Sequence, residues 1–218
     1  MRKRNIALIL AASMMATFAF GGTTAFAAEE GETDSVTVGI MADPENMGPW
    51  SGMSMGRIAV LFTTYEYLIT REDGVAYGVL AKSWDEVDPK TYDVELYDYI
   101  HDAEGNPLTA SDVVFSFESA IATKNYGKLS LIDSVTATDD YHVEFKFNKD
   151  LEIGEFENVM LECAIVTQAA YEASPDQMAT TPVGTSAYLV DSYVPGSEIV
   201  MKDTGAVSYT HLTLPTIA

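Results

Sequence analysis

A single cysteine stands in this 218-residue sequence, so no internal disulfide can form in any compartment. Cys163 sits in Leu161-Glu162-Cys163-Ala164-Ile165-Val166, an apolar setting that predicts a small buried hydrophobe and not a reactive thiol. Basic residues are also scarce, twelve Lys and Arg against thirty-three Asp and Glu, for a formal charge of −21. Phosphate neutralisation needs a basic patch, so this balance argues against nucleic acid as a partner. It suits a soluble surface that attracts cationic solutes at long range, or one that is merely solvated. The chain lacks a Gly-x-Ser-x-Gly elbow, a His-Glu-x-x-His helix, a phosphate-binding Gly-x-x-x-x-Gly-Lys and a Cys-x-x-Cys pair. Outside the last dozen residues the histidines are His101 and His142, on different predicted elements, and both are expected on the solvated surface. These absences name no catalytic residues, no metal ligands and no cofactor, and they favour a protein that is not an enzyme. No internal repeat is present. With 47% apolar residues the composition is that of a globular domain, so the charge does not signal disorder.

What is present begins with a leader. Arg2-Lys3-Arg4, an apolar run from Ile6 to Phe20 and Ala25-Phe26-Ala27 have the charged, hydrophobic and small-residue order of a secretory signal peptide, residues 1–27. The apolar run is too short to span a bilayer of about 30 Å as a lasting helix. Cleavage would place the protein outside the cytoplasm, in the periplasm or at the cell exterior. Three of the twelve basic residues lie in that leader, leaving nine against all thirty-three acidic ones and a formal charge of −24. At the other end, Val207 to Thr216 reads as the translation of a transposon-type sequencing adaptor, so residues 206–218 are set apart from the fold argument.

Between these ends, residues 28–205 suffice for one ordinary core. Val36 to Met41 alternates enough to predict a first strand buried on at least one face. From Arg57 the spacing of Ile58, Leu61, Phe62, Tyr65 and Leu68 predicts a helix with one apolar stripe. Asp73-Gly74 marks a turn, and Tyr92, Val94 and Leu96 share one face of a half-buried strand. Thr109-x-x-Asp112 has the form of a capping box, followed by a buried helical face of Val113, Phe117, Ala120 and Ile121. Val135–Thr138 and Tyr141–Phe147 flank Asp139-Asp140 as a hairpin. Short helices are expected near 156–161 and 167–174, the second stopped by Pro175, and a closing strand pair near 187–194 and 198–202. Helices and strands without strict alternation indicate a mixed α/β, or α+β, lobe.

Two motifs in this order carry a resemblance. Leu80-Ala81-Lys82-Ser83-Trp84 leads through the strand to Pro107-Leu108-Thr109-Ala110-Ser111-Asp112-Val113, and Pro182-Val183-Gly184-Thr185-Ser186-Ala187-Tyr188 precedes Pro195-Gly196-Ser197-Glu198-Ile199-Val200. Together they resemble the bacterial extracellular solute-binding proteins of family 5, which serve oligopeptide, dipeptide and nickel ABC importers. The likeness runs from Val36 to Lys202. It departs from the family pattern at Tyr97-Asp98-Tyr99, where Arg-Asp-Gly is usual, and at Asp102-Ala103-Glu104-Gly105, where Phe-His-Asp-Gly is usual.

The resemblance implies the first lobe of a two-lobe, class II periplasmic-binding-protein-like fold, truncated here because full relatives are much longer. It implies a monomer that binds a small solute, above all a peptide, and delivers it to an ABC permease in the membrane. In such proteins the loop after the first strand lines the cleft. By position that loop is Asn46 to Gly56, with Trp50 as an apolar platform, Gly52 for close backbone approach, and Ser51 and Ser54 for hydroxyls. Met53 and Met55 would adapt to varied side chains, and a main-chain mode of peptide recognition would tolerate many sequences. The alternative for Trp50 and the methionines is that they plug the lobe's own core. Two other functions stay open at this stage, a secreted hydrolase with an unrecognised site and an acidic surface or adhesion module.

Overall fold

The computed structural model describes residues 35–204; the predicted leader and the adaptor-like tail lie outside the described residues. The chain divides into a leading unit, residues 1–38, and a main unit from residue 39 onward. Of the leading unit only residues 35–38 are described, and all four are exposed and without regular structure.

The main unit is built in the order α1 (Met55–Thr64), β1 (Ile69–Glu72), β2 (Val75–Gly78), β3 (Ala81–Asp88), β4 (Thr91–Leu96), α2 (Ala110–Thr123), β5 (Ile132–Ala137), β6 (His142–Phe147), α3 (Glu155–Met160), α4 (Gln168–Ala173), β7 (Tyr188–Val194) and β8 (Glu198–Asp203). β3, β4, β6 and β5 form, in that spatial order, an antiparallel four-stranded sheet, while β1–β2 and β7–β8 are separate hairpins. The mixed helix and strand architecture is the one expected from the sequence.

The core follows from the period-2 pattern. Val94 pairs with Val143 and Tyr92 with Phe145 across β4 and β6, so the apolar residues of both strands face α2 and α3 together. Phe117 of α2 meets Phe145 edge-on at 4.9 Å, and Tyr92 stacks on Phe156 of α3 at 4.3 Å. Burial of such large side chains stabilises by roughly 1.5–3 kcal/mol each. α2 starts where the capping box predicts: the Asp112 carboxylate accepts the Thr109 N–H and hydroxyl, both at 2.8 Å. Its other oxygen accepts the Gln168 N–H at 2.8 Å, which joins the start of α2 to the start of α4. In the β5–β6 turn the Asp139 carboxylate accepts the N–H groups of Tyr141 and His142. Cys163 is fully buried, as its neighbours indicated, and burial pushes its thiol well above the ordinary value.

Two expectations are corrected. The predicted first strand is not one: residues 35–40 have no assigned structure, Val36 is 81% exposed, and the apolar Ile40 and Met41 also meet solvent. Alternation alone makes no strand without a partner, and none of the described strands pairs with this segment. The α1 stripe is also rotated. Its buried residues are Gly56, Val60, Leu61 and Thr64, whereas Phe62 is 50% exposed and Ile58 is exposed too. The helix, MGRIAVLFTT, is apolar nearly all round, so spacing could not choose its inner face. Gly56 chooses it, because a Cβ there would lie 2.5 Å from the Asp43 carbonyl oxygen. Tyr65 and Leu68 are buried beyond the end of the helix, in the extended segment leading to β1.

Candidate functional site

The loop from Asp43 to Ser54 precedes α1 and is organised by hydrogen bonds to its own carbonyls. The Asn46 side-chain oxygen accepts the Gly48 N–H and the Ser51 hydroxyl, both at 2.8 Å. Met47 donates its N–H to Ala179 at 2.9 Å, and its carbonyl accepts the Tyr65 hydroxyl at 3.0 Å. Burial raises the Tyr65 phenol well above its usual value, so it remains a protonated donor. The carbonyl of Pro49 accepts the Tyr126 hydroxyl, and that of Trp50 accepts Asn125 Nδ2 at 2.9 Å. Arg57, from the first turn of α1, donates Nε to the carbonyls of Pro44 and Asn46 and Nη1 to that of Ser51.

At its start the loop is tied to the β7–β8 hairpin. The Asp43 carboxylate accepts the Tyr193 hydroxyl, the Gly196 N–H and the Glu45 N–H. The Tyr193 hydroxyl first, then the two backbone donors, holds this carboxyl below the ordinary aspartate range. Met47, Val60 and Val190 form a small apolar cluster between loop, α1 and hairpin, flanked by Tyr193, Ile199 and Met201.

Each residue proposed for the site can now be placed. Trp50 is 6% exposed, its indole N–H donates to the Ala164 carbonyl at 3.0 Å, and its ring contacts Phe115 and Tyr171. It serves as core packing and not as an open platform. Gly52 is required by its positive φ of 81°, while a Cβ there would meet only ordinary contacts with Asn125; its role is conformational and not one of close approach. The Ser51 hydroxyl is spent as a donor on Asn46, and the Ser54 oxygen accepts the Arg57 N–H as the cap of α1. The residues that do present side chains outward are Met53 at 51% and Met55 at 66% exposure, continued along α1 by Ile58 and Phe62. Asn46 and Ser51 come together, Trp50 turns inward, and the methionines turn outward.

Sequence reasoning missed Arg57, Asp43, Asn125 and Tyr126. Only the rarity of arginine in so acidic a chain distinguished Arg57, and nothing local marked the others, because Asn125 and Tyr126 meet the loop from some 75 residues away.

Elsewhere an open groove of about 660 Å³ lies beside the end of β4 and the β5–β6 turn, lined by Tyr97, Asp98, Tyr99, Tyr141 and His142 among others. It contains the Tyr97-Asp98-Tyr99 departure. Four of its ionisable groups pair locally, Lys82 with Glu95 at 2.6 Å and Asp139 with His142 at 2.9 Å, the pattern of a solvated surface. His101 is exposed. Among the described residues no group of three or more His, Cys, Asp or Glu side chains is arranged to hold a metal ion.

Comparison with known proteins gives a consistent result. The family model for bacterial extracellular solute-binding proteins, family 5 Middle, matches residues 76–204; the candidate loop precedes that stretch. A curated relative is the nickel-binding protein NikA of Staphylococcus aureus (strain NCTC 8325 / PS 47), 29% identical over 136 residues, which cover 62% of this chain and 26% of that protein. Among solved structures, NikZ from Campylobacter jejuni in complex with Ni(L-His) aligns with a TM-score of 0.68 and 23% identity, over 77% of this chain and 35% of that one. The oligopeptide-binding protein AppA from Bacillus subtilis, in complex with a nonapeptide, aligns with a TM-score of 0.66 and 22% identity, over 74% and 34%. The chain therefore spans about a quarter of the curated relative's length and about a third of these structures'.

Proposed function

This chain belongs to the bacterial extracellular solute-binding proteins of family 5, and from that premise we propose that it helps capture a peptide outside the cytoplasm for an ABC permease in the membrane. It does so as a monomer, without chemistry or cofactor of its own. Residues 28–205 act as one lobe, and a second lobe from the longer protein closes over the solute. The lengths of the relatives support this division, since this chain matches only about a third of each solved one.

The observation that carries the reading is the loop itself. Its carbonyls are tied down from both sides, and next to it stands an exposed, uncharged strip of Met53, Met55, Ile58 and Phe62. A rigid backbone beside adaptable apolar side chains suits an extended peptide of varied sequence. Asn46, Ser51, Gly52 and Ser54 shape this surface, Met53 and Met55 contact the solute, and Trp50 supports it from beneath. A nickel chelate is the second reading, favoured by the likeness to NikA.

Calorimetry separates these readings. A nonapeptide pool and Ni(II) with L-histidine are titrated into this chain and into the product of the complete reading frame. Because each tenfold in affinity is about 1.4 kcal/mol, loss of half the contacts costs several decades. The longer product should bind the peptide pool at micromolar or better, and this chain should bind it several decades more weakly, at about millimolar or not at all. Micromolar binding by this chain alone overturns the two-lobe mechanism. Binding of the nickel chelate alone overturns the peptide assignment.

A further inference from the structure

We infer that Arg57 is the positioning residue of the solute loop, a role that rests on the reading of loop 43–54 and the start of α1 as the solute-facing surface. Nε donates to Pro44 O at 3.1 Å and Asn46 O at 2.8 Å, and Nη1 donates to Ser51 O at 2.7 Å. These carbonyls come from both limbs of the loop, so one planar group fixes the separation of the limbs. Asn46 extends the clamp: its backbone oxygen lies on Arg57 while its side-chain oxygen holds Gly48 and Ser51. Gly52 and the outward-facing Met53 and Met55 follow directly.

The placement makes little sense as helix chemistry. Arg57 is the third residue of α1, where the positive end of the helix favours a carboxylate and disfavours a cation, and that turn holds no acidic residue. The sequence offers thirty-three acidic residues, yet among the described residues no salt bridge includes Arg57. The guanidinium is committed to the loop carbonyls. A lysine offers one compact ammonium without the fork, so it would not reproduce the arrangement. Without the clamp, residues 44–51 would sample several conformations, and a solute would have to order them on binding, which weakens affinity.

Amide hydrogen exchange on the full chain tests this with Arg57→Gln and Arg57→Lys. Local release should speed exchange at Gly48 and Ser51 by roughly tenfold or more in both variants, with Val94 and Val143 of the sheet within about twofold of wild type. In the complete gene product both variants should bind the peptide pool about tenfold more weakly, with the urea midpoint little changed. Equal acceleration in loop and sheet would make Arg57 a general stabilising residue and overturn the inference. Unchanged loop exchange, or full rescue by lysine, would overturn it as well. Failure of the wild-type product to bind either probe would refute the solute reading instead, and the exchange result would still decide whether Arg57 holds the loop.

Discussion

In the four-stranded sheet, Val94, Val143 and Phe145 are withdrawn from water against Phe117 of α2. In the loop from Asp43 to Ser54, order comes instead from donors that reach in from Arg57, Tyr65, Asn125 and Tyr126. The sheet's order is distributed over many weak apolar contacts, each nearly replaceable by another apolar group of similar volume. The loop's order rests on a few directional bonds, and loss of the donor leaves the carbonyls of Asn46, Met47, Trp50 and Ser51 unpaired. A binding surface built the second way can hold a backbone shape without filling the space above it with side chains. That space is what a solute needs.

The largest expected effect breaks the sheet side of this comparison. Phe117→Ala should destabilise the lobe by about 3–5 kcal/mol through the cavity left between α2 and β6, read by urea unfolding of the full chain. A loss below about 1 kcal/mol would show that the core tolerates the gap and that packing between α2 and β6 does not hold the sheet.

Trp50→Phe probes the point where the two regimes meet, since the ring belongs to the core while its backbone belongs to the loop. It keeps an aromatic ring but removes the indole donor from the Ala164 carbonyl, for a loss of about 1–3 kcal/mol. Retained stability together with weakened solute binding would return Trp50 to the cleft.

The smallest effect is electrostatic and sharpens the loop side. Hydrogen bonds from Tyr193, Gly196 and Glu45 lower the Asp43 pKa from its ordinary 3.8. A depressed carboxyl contributes stability that is present above the unfolded value and is lost as pH falls through the folded one. The tie between loop and hairpin should therefore persist at pH 3.8 and release only in more acidic solution. The Gly196 amide resonance, followed by NMR on acidification, should titrate with a midpoint below 3.8; a midpoint at or above it would mean that the carboxylate is not held by these donors.

The contrast also explains what could be read from the chain. Tyr92, Val94 and Leu96, the Thr109–Asp112 capping box, the Asp139-Asp140 turn and the β7–β8 pair were legible because their causes lie within a few residues. The two motifs of the family resemblance fall in the same stretch, which the family model also covers. The geometry of the candidate loop was legible only in part. Asn46 and Ser51 do meet and Met53 and Met55 are outward, but Trp50 turned inward because Phe115, Ala164 and Tyr171, distant in sequence, complete a pocket for it. The proposed first strand failed because a strand requires a partner that alternation cannot supply.

By itself, then, the sequence determined the mixed helix and strand class, the inward face of β4 and β6, the start of α2 and the burial of Cys163, since periodicity, capping and apolar neighbours act locally. The tertiary structure alone decided which face of α1 is buried, that Trp50 is core, and that Arg57 and Asp43 hold the loop. Each of these depends on which distant carbonyls or rings come within about 3–6 Å, and no spacing rule encodes that convergence.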